Sequence, residues 1–309
     1  MGGRPVSAPS LLTLLVLVPW AGAAVVAGLP PRFSRVVSLG LSLSTLAFGL
    51  ELYAVGPVVG VQAEWMPALH IHYHLALDGL SLLLVLLTGV VGPMALLASW
   101  TVERQGRQFR SLFLLLQGSA LGVFVAQDFF LWFIFCELGL VPAYFLIKQW
   151  GGPGAARAAY QFVVYTIGGS AFMLLGFAAI YAAAGTMDFA ELQALPAGML
   201  AARLGTAGAT AVFAGVFLGL AVKVPLFPFH TWLPSTYAEA PVGVSMFLTG
   251  VMAKMGVYGF FRILGPLFPD QLRAASGLLI GLALAGVLVG AFAAMAQTDL
   301  KRMLAAMCG

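Results

Sequence analysis

The stretch Phe129-Phe-Leu-Trp-Phe-Ile-Phe-Cys-Glu137-Leu-Gly-Leu-Val-Pro-Ala-Tyr-Phe-Leu-Ile147 sets one carboxylate in an otherwise apolar run. Its length approaches the roughly 20 residues a helix needs to cross a hydrocarbon layer. Comparable runs cover Leu11–Leu29, Val36–Val55, Gly79–Ser99, Leu112–Gln127, Ala158–Ala184, Thr206–Pro225, Val242–Phe261 and Gly277–Ala296. They are continuous rather than alternating, so strands with one face toward a lumen are excluded. Composition agrees: 61% of the 309 residues are hydrophobic and 8% are charged, with mean hydropathy +1.00. Soluble domains hold about 25% charged residues, and the few charges here cannot cover a water-facing surface. The solvent for most of this chain is lipid, and the predicted fold is an all-α, polytopic transmembrane bundle of nine to ten helices.

The net charge of +4 does not point to nucleic acid, because the basic residues stand singly between the runs. They report topology instead. One alternate set of loops holds Arg32, Arg35, Arg104, Arg107, Arg110, Lys148, Arg157, Lys301 and Arg302. The other set, with the N-terminal tail, holds only Arg4, Arg203, Arg262 and Arg273. The positive-inside rule then puts the first set in the cytoplasm and the N-terminus outside, in a bacterial-type plasma membrane or an equivalent energy-transducing membrane. Arg4 and Ala21-Gly22-Ala23 also fit a signal peptide, but eight further spans favour an uncleaved first helix. Cys136 and Cys308 form no CxxC motif and predict no disulfide framework.

Two stretches outside the spans have substance. Gly56–Leu77 carries His70, His72 and His74, whose alternation would share one face of an extended segment. No Cys or further His lies nearby, so a solvated loop is expected rather than a metal site. Gly185–Gly205 reads as a short amphipathic helix at the interface. Gly151-Gly152-Pro153-Gly154 lacks the Gly-Lys-Ser/Thr ending of a phosphate loop and reads as a turn.

Glu137 and Lys254 lie near the middle of their runs, and Lys223 near the end of its own. Each charge at a helix centre costs about 2.5–3.5 kcal/mol, so all three are expected to face the bundle interior or water. A structural ion pair is one reading; an acid and two bases on three spans also suit a proton relay. Pro225 and Pro228 lack N–H groups, so the span containing Lys223 should break there, next to water. Desolvation favours a neutral lysine and a nearby carboxylate favours a charged one, so small movements can switch proton retention. His230 could carry protons toward Lys223, or simply hydrogen-bond a helix terminus.

Together these residues resemble a known family. Lys223-Val-Pro-Leu-Phe-Pro-Phe-His-Thr-Trp-Leu-Pro234, Glu239-Ala-Pro241 and Lys254-Met-Gly-Val-Tyr-Gly-Phe-Phe-Arg262 look like the antiporter-like subunits of respiratory complex I. Phe133–Leu138, Pro142 and Trp150-Gly-Gly152 are most similar to the subunit M (subunit 4) type, and Leu77–Ser81 and Asp299–Arg302 fit it too. The resemblance implies one integral membrane domain over 1–309, with N-terminal helices in 11–99, a proton half-channel repeat in 110–265 and the start of a second repeat in 273–309. It implies a proton-translocating subunit of NADH:quinone oxidoreductase, with Glu137 and Lys223 as a charge pair, Lys254 continuing the relay and His230 beside it. The chain itself is expected to hold no redox site and no metal; NADH, flavin, iron–sulfur clusters and quinone would belong to other subunits. Expected partners are the other membrane-arm subunits, the lipid bilayer and protons, with no nucleic acid.

This sequence departs from the family at Ser235-Thr236-Tyr237, which replaces an Asp-Ala-His triplet. It also stops at Gly309, where family members continue into a second inverted half. A fragment, a frameshifted product and one part of a split subunit all fit. The related classes are a subunit of a multi-subunit sodium/proton antiporter, a membrane-bound hydrogenase subunit, and a truncated chain that conducts nothing. With the relay ending at Lys254, the short chain alone is not expected to pump.

Overall fold

The computed structural model describes residues 8–56, 59–196 and 198–308; Arg4 and Gly309 lie outside the described residues. The chain runs α1 (Ala8–Gly28), α2 (Pro31–Val55), β1 (Val59–Met66), β2 (Ile71–Leu77), α3 (Gly79–Ala98), α4 (Gly106–Val125), α5 (Phe129–Trp150) and α6 (Ala155–Ala184). There follow α7 (Phe189–Ala194), α8 (Met199–Lys223), α9 (Leu233–Glu239), α10 (Val242–Phe247), α11 (Ala253–Gly259), α12 (Gly265–Leu267), α13 (Pro269–Met295) and α14 (Leu300–Met307). Among the described residues nine helical segments are long and apolar enough to cross a membrane; α10 to α12 form one of them, Val242–Leu267. The expected polytopic helical bundle is what the chain forms.

Helix starts follow from short acidic side chains that take up the orphan N–H groups of a first turn. Asp78 accepts from Ser81 N at 2.9 Å, Asp188 from Ala190 N at 2.9 Å and Asp299 from Arg302 N at 2.8 Å. The motifs Leu77–Ser81 and Asp299–Arg302 are therefore helix caps. Asp128, fully buried, accepts from Phe130 N at 2.8 Å and Leu131 N at 3.2 Å to open α5.

Gly56–Leu77 is not a simple loop. β1 and β2 pair antiparallel, with Gln62 opposite His74 and Glu64 opposite His72. Ile71, Leu75 and Leu77 turn inward while the residues between them stay partly exposed, the alternation a half-buried strand requires. Gln127 N donates to His74 O at 2.9 Å and His72 N to Asp128 at 3.4 Å, which ties the hairpin to the start of α5. His70 sits outside β2 in a left-handed turn with φ 48°, so the three histidines do not share a strand face. No group of three His, Cys, Asp or Glu among the described residues could hold a metal ion.

The stretch Gly185–Gly205, expected to be one short amphipathic helix, contains α7 and then the first residues of α8, which kinks at Gly205, where φ is 72°. That positive φ suits glycine, since other residues meet a Cβ clash there.

The chain divides into two compact units, Met1–Leu146 with Val242–Val251, and Ile147–Pro241 with Met252–Gly309. In the first, α4 packs against α1, α2 and α3. Gln117 on α4 accepts from Ser42 Oγ at 2.7 Å and donates to Thr45 Oγ1 at 2.9 Å, all of it buried. In the second, α6 packs along α8, and α9 lies against α6 and α14.

Candidate functional site

The break after Lys223 forms because proline cannot donate the next helical hydrogen bond. α8 ends at Lys223, and Val224 N still bonds Leu220 O at 2.8 Å. Pro225 has nothing to give Ala221 O, so Leu226 N reaches back to it at 2.8 Å. That displacement by one residue frees Val222 O, which accepts instead from the indole Nε1 of Trp232 at 3.1 Å. Trp232 is 4% exposed and packs against Phe162 and Tyr237, with ring centroids 5.3 and 6.4 Å away. Thr231 and Tyr165 add a hydroxyl pair at 2.7 Å. The sequence placed the break correctly, but the role of Trp232 in closing it was not legible, because an indole gives no sign of which carbonyl it will meet.

Lys223 is half-buried at this discontinuity. Its Cβ lies against α11: a Cβ added at Gly256 would fall 3.2 Å from Lys223 Cβ and 2.6 Å from Val224 Cγ2. Gly256 therefore lets α11 approach the break. A cleft of about 440 Å³ opens beside it, lined by Val224–Phe227 and by small residues of α13 such as Gly286 and Gly290; Lys223 does not line it. His230 is half-buried, 5.5 Å from Phe227 between ring centroids, and its Nδ1 is buried with no hydrogen-bond partner in the protein. Its backbone carbonyl, not its ring, supports the start of α9 by accepting from Leu233 N at 2.9 Å.

Lys254, expected to face the bundle interior or water, is not enclosed by this chain. It is exposed, on the same helix face as Val257 and Phe261, which are 38% and 67% exposed. Position within an apolar run fixes depth but not which side of the helix a residue occupies. The sequence also hid that Lys254 lies between two π-helical segments, Leu248–Met252 and Phe260–Leu264, a local widening often found at functional sites. Glu137 lies in the other compact unit, half-buried on α5, next to exposed Leu138 and Val141.

Glu239 was quoted only as part of a motif, yet it organises a second polar centre. Its carbonyl accepts from Gly152 N and its carboxylate from Gly154 N, each at 2.9 Å, and Arg302 Nη2 lies 3.4 Å from the carboxylate. A Cβ at Gly152 would sit 2.6 Å from that carboxylate, so the glycine-rich turn is shaped to receive it. Lys301 Nζ donates to Ala240 O. The turn gives its backbone N–H groups to an internal acid, the donor chemistry of a phosphate loop applied to a carboxylate of the same chain.

Comparison with known proteins places this geometry. The family described as NADH:quinone oxidoreductase/Mrp antiporter, transmembrane, matches residues 126–306. NAD(P)H-quinone oxidoreductase chain 4 2 of Thermosynechococcus vestitus is 38% identical over 95% of this chain and 56% of its own length. A chain of respiratory complex I from Thermus thermophilus superposes with TM-score 0.84 at 34% identity, covering 96% of this chain and 61% of that one. A chain of the Mrp complex from Dietzia sp. gives TM-score 0.84 at 26% identity, covering 96% and 32%. This chain thus spans little more than half the length of the first curated relative.

Proposed function

This chain belongs to the NADH:quinone oxidoreductase/Mrp antiporter transmembrane family, and from that premise we propose that it is a proton-translocating membrane-arm subunit of a quinone-reducing complex. The observation that carries the reading is the helix break immediately after Lys223. A lysine at a discontinuity can exchange protons with water while the rest of its helix stays sealed by lipid and protein. Glu137 acts as its counter-charge, and Lys254 and His230 pass protons onward and inward. The exposed face of Lys254 then meets protein or water in the assembled complex, since a charge left in hydrocarbon is expensive. The redox groups sit in partner subunits, and the N-terminus faces outward.

The test is Lys223→Ala in the assembled complex, reconstituted in proteoliposomes. Proton pumping and the quinone reduction coupled to it fall by about tenfold or more while assembly persists. A charge-switching cycle loses its switch when the titrating group is removed, and each tenfold corresponds to about 1.4 kcal/mol. Lys223→Arg is impaired too, because arginine holds its proton at any working pH. Normal pumping by Lys223→Ala defeats the relay.

The likeness to the Mrp chain supports a second reading, a subunit of a sodium/proton antiporter. Replacing sodium by choline in the same vesicles separates the two. Pumping driven by quinone reduction and indifferent to sodium fits the first; transport that requires sodium and no quinone fits the second.

A further inference from the structure

At the arginine-rich end of the first compact unit, a cleft of about 670 Å³ opens where α2 and α4 begin. Arg32, Arg35, Arg107 and Arg110 line it, against one carboxylate, Glu103. Glu103 is 3.3 Å from Arg35 and its side chain is 82% exposed, so it neutralises only one rim position. Arg110 is 5% exposed and is fixed by neutral acceptors, Ser34 Oγ at 3.2 Å and Val102 O at 3.1 Å. Arg107 donates to Leu29 O at 3.4 Å. These bonds hold two guanidinium groups in place without cancelling their charge.

The backbone adds to the positive potential. The first turns of α2 and α4 contain no acidic residue, and neither helix has a side-chain cap. The positive end of a helix dipole favours an anion. Gly106 opens α4 at the cleft wall; a Cβ there would come 2.6 Å from Arg110 Nη1.

The surroundings select the kind of anion. The cleft is lined by the first residues of the α2 span, Pro31, Arg32 and Arg35, and charges at a span end belong at the water-facing edge of a bilayer rather than in its hydrocarbon. Phe33 and Val36 beside it are 50% and 65% exposed, and Leu43 and Leu50 continue from Val36 at seven-residue spacing, 46% and 52% exposed. Residues seven apart fall on nearly the same helix face. An apolar stripe running from a basic cleft into the hydrocarbon fits a molecule with an anionic head and acyl chains. A small free anion would need no such stripe. We propose that this cleft binds the phosphate of an anionic phospholipid, whose chains lie along Phe33, Val36, Leu43 and Leu50.

Native mass spectrometry of the full chain, purified in detergent, tests this. Phosphatidylglycerol is titrated against phosphatidylcholine, with inorganic phosphate as a separate competitor. Phosphatidylglycerol is retained in preference to phosphatidylcholine, is not displaced by equimolar phosphate and is lost as salt rises. Arg32→Gln with Arg107→Gln weakens it about thirtyfold, at the usual strength of two basic groups near an anionic surface. Arg157→Gln with Arg273→Gln, which removes the same charge elsewhere, leaves it unchanged. Should the double variant fail to purify, Arg32→Gln alone and the salt series on the unaltered chain decide. Equal retention of the two lipids, salt-independent retention, displacement by phosphate, an unaffected Arg32/Arg107 variant, or an acidic partner segment found in the cleft would each overturn the proposal.

Discussion

α4 and α13 both qualify as membrane spans, yet they stand in reverse order of apolarity and burial. α13 is the most apolar of the nine spans and only 11% of its apolar window is buried within the chain; α4 is the least apolar and 78% of its window is buried. In water the ranking would run the other way, because apolar surface is driven inside. In lipid that drive vanishes between helices. Association rests on close packing and on hydrogen bonds that polar side chains find in one another. α4 supplies both, with Gln117 bonded to Ser42 and Thr45, and with glycines that let neighbouring rings approach. α13 offers small and aliphatic residues, of which Gly290 and Ala294 are buried.

The comparison can be broken at four points. The largest effect is expected from Gly118→Leu on α4, where even a Cβ would lie 2.2 Å from the Trp20 ring and 3.2 Å from Pro19. The near atoms belong to the bulky Trp20 ring and to the ring of Pro19 within α1, so overpacking costs about 3 kcal/mol, read as a large fall in the thermal unfolding midpoint of the detergent-purified chain. A midpoint left where it was would show that α4 is not the packing centre of its unit.

A smaller loss, about 1–2 kcal/mol, is expected from Gln117→Leu, which strands the Ser42 hydroxyl in a buried site. Replacing Gln117 and Ser42 together by apolar residues should recover much of that loss, because no donor is then left unmet. A double variant as unstable as the sum of the two single changes would mean that the residues contribute by shape alone. Trp232→Phe makes the corresponding test in the second unit. It keeps an aromatic ring but removes the donor to Val222 O and part of the indole's volume, so a loss at least as large is expected.

The smallest effect is expected from Gly281→Leu on α13, where an added Cβ meets nothing within 4 Å. The midpoint should move by no more than about 0.5 kcal/mol. A loss comparable to that of Gly118→Leu would show that the α13 face is covered in the purified chain, by a second copy or a tightly held partner.

Much of the fold was legible because lipid imposes a length rule. Nine apolar runs became nine spans, and Pro225 ended α8 as a missing N–H requires. The hairpin was missed because Ile71–Leu77 alternates over a short stretch, and its partner strand contains a glycine and a glutamate that read as loop. Asp128 was missed because an acid between two apolar runs looks like a loop residue; buried at the head of α5, it serves three backbone N–H groups. Within the candidate site, the sequence indicated which residues carry charge and at what depth, and it was right to set Lys223 at a broken helix. It did not say which side of its helix Lys254 takes, and nothing in it announced the indole of Trp232 or the carboxylate of Glu239 as the groups that satisfy irregular backbone.

What the sequence determined by itself were the properties each segment has alone: its apolar length against the thickness of the hydrocarbon layer, its capping acids and its missing N–H groups. The tertiary structure decided which face of each helix is covered and which carbonyl meets which donor. Those are relations between segments far apart in the chain, and in lipid they depend on the fit of small residues and the pairing of polar ones, to which hydropathy is blind.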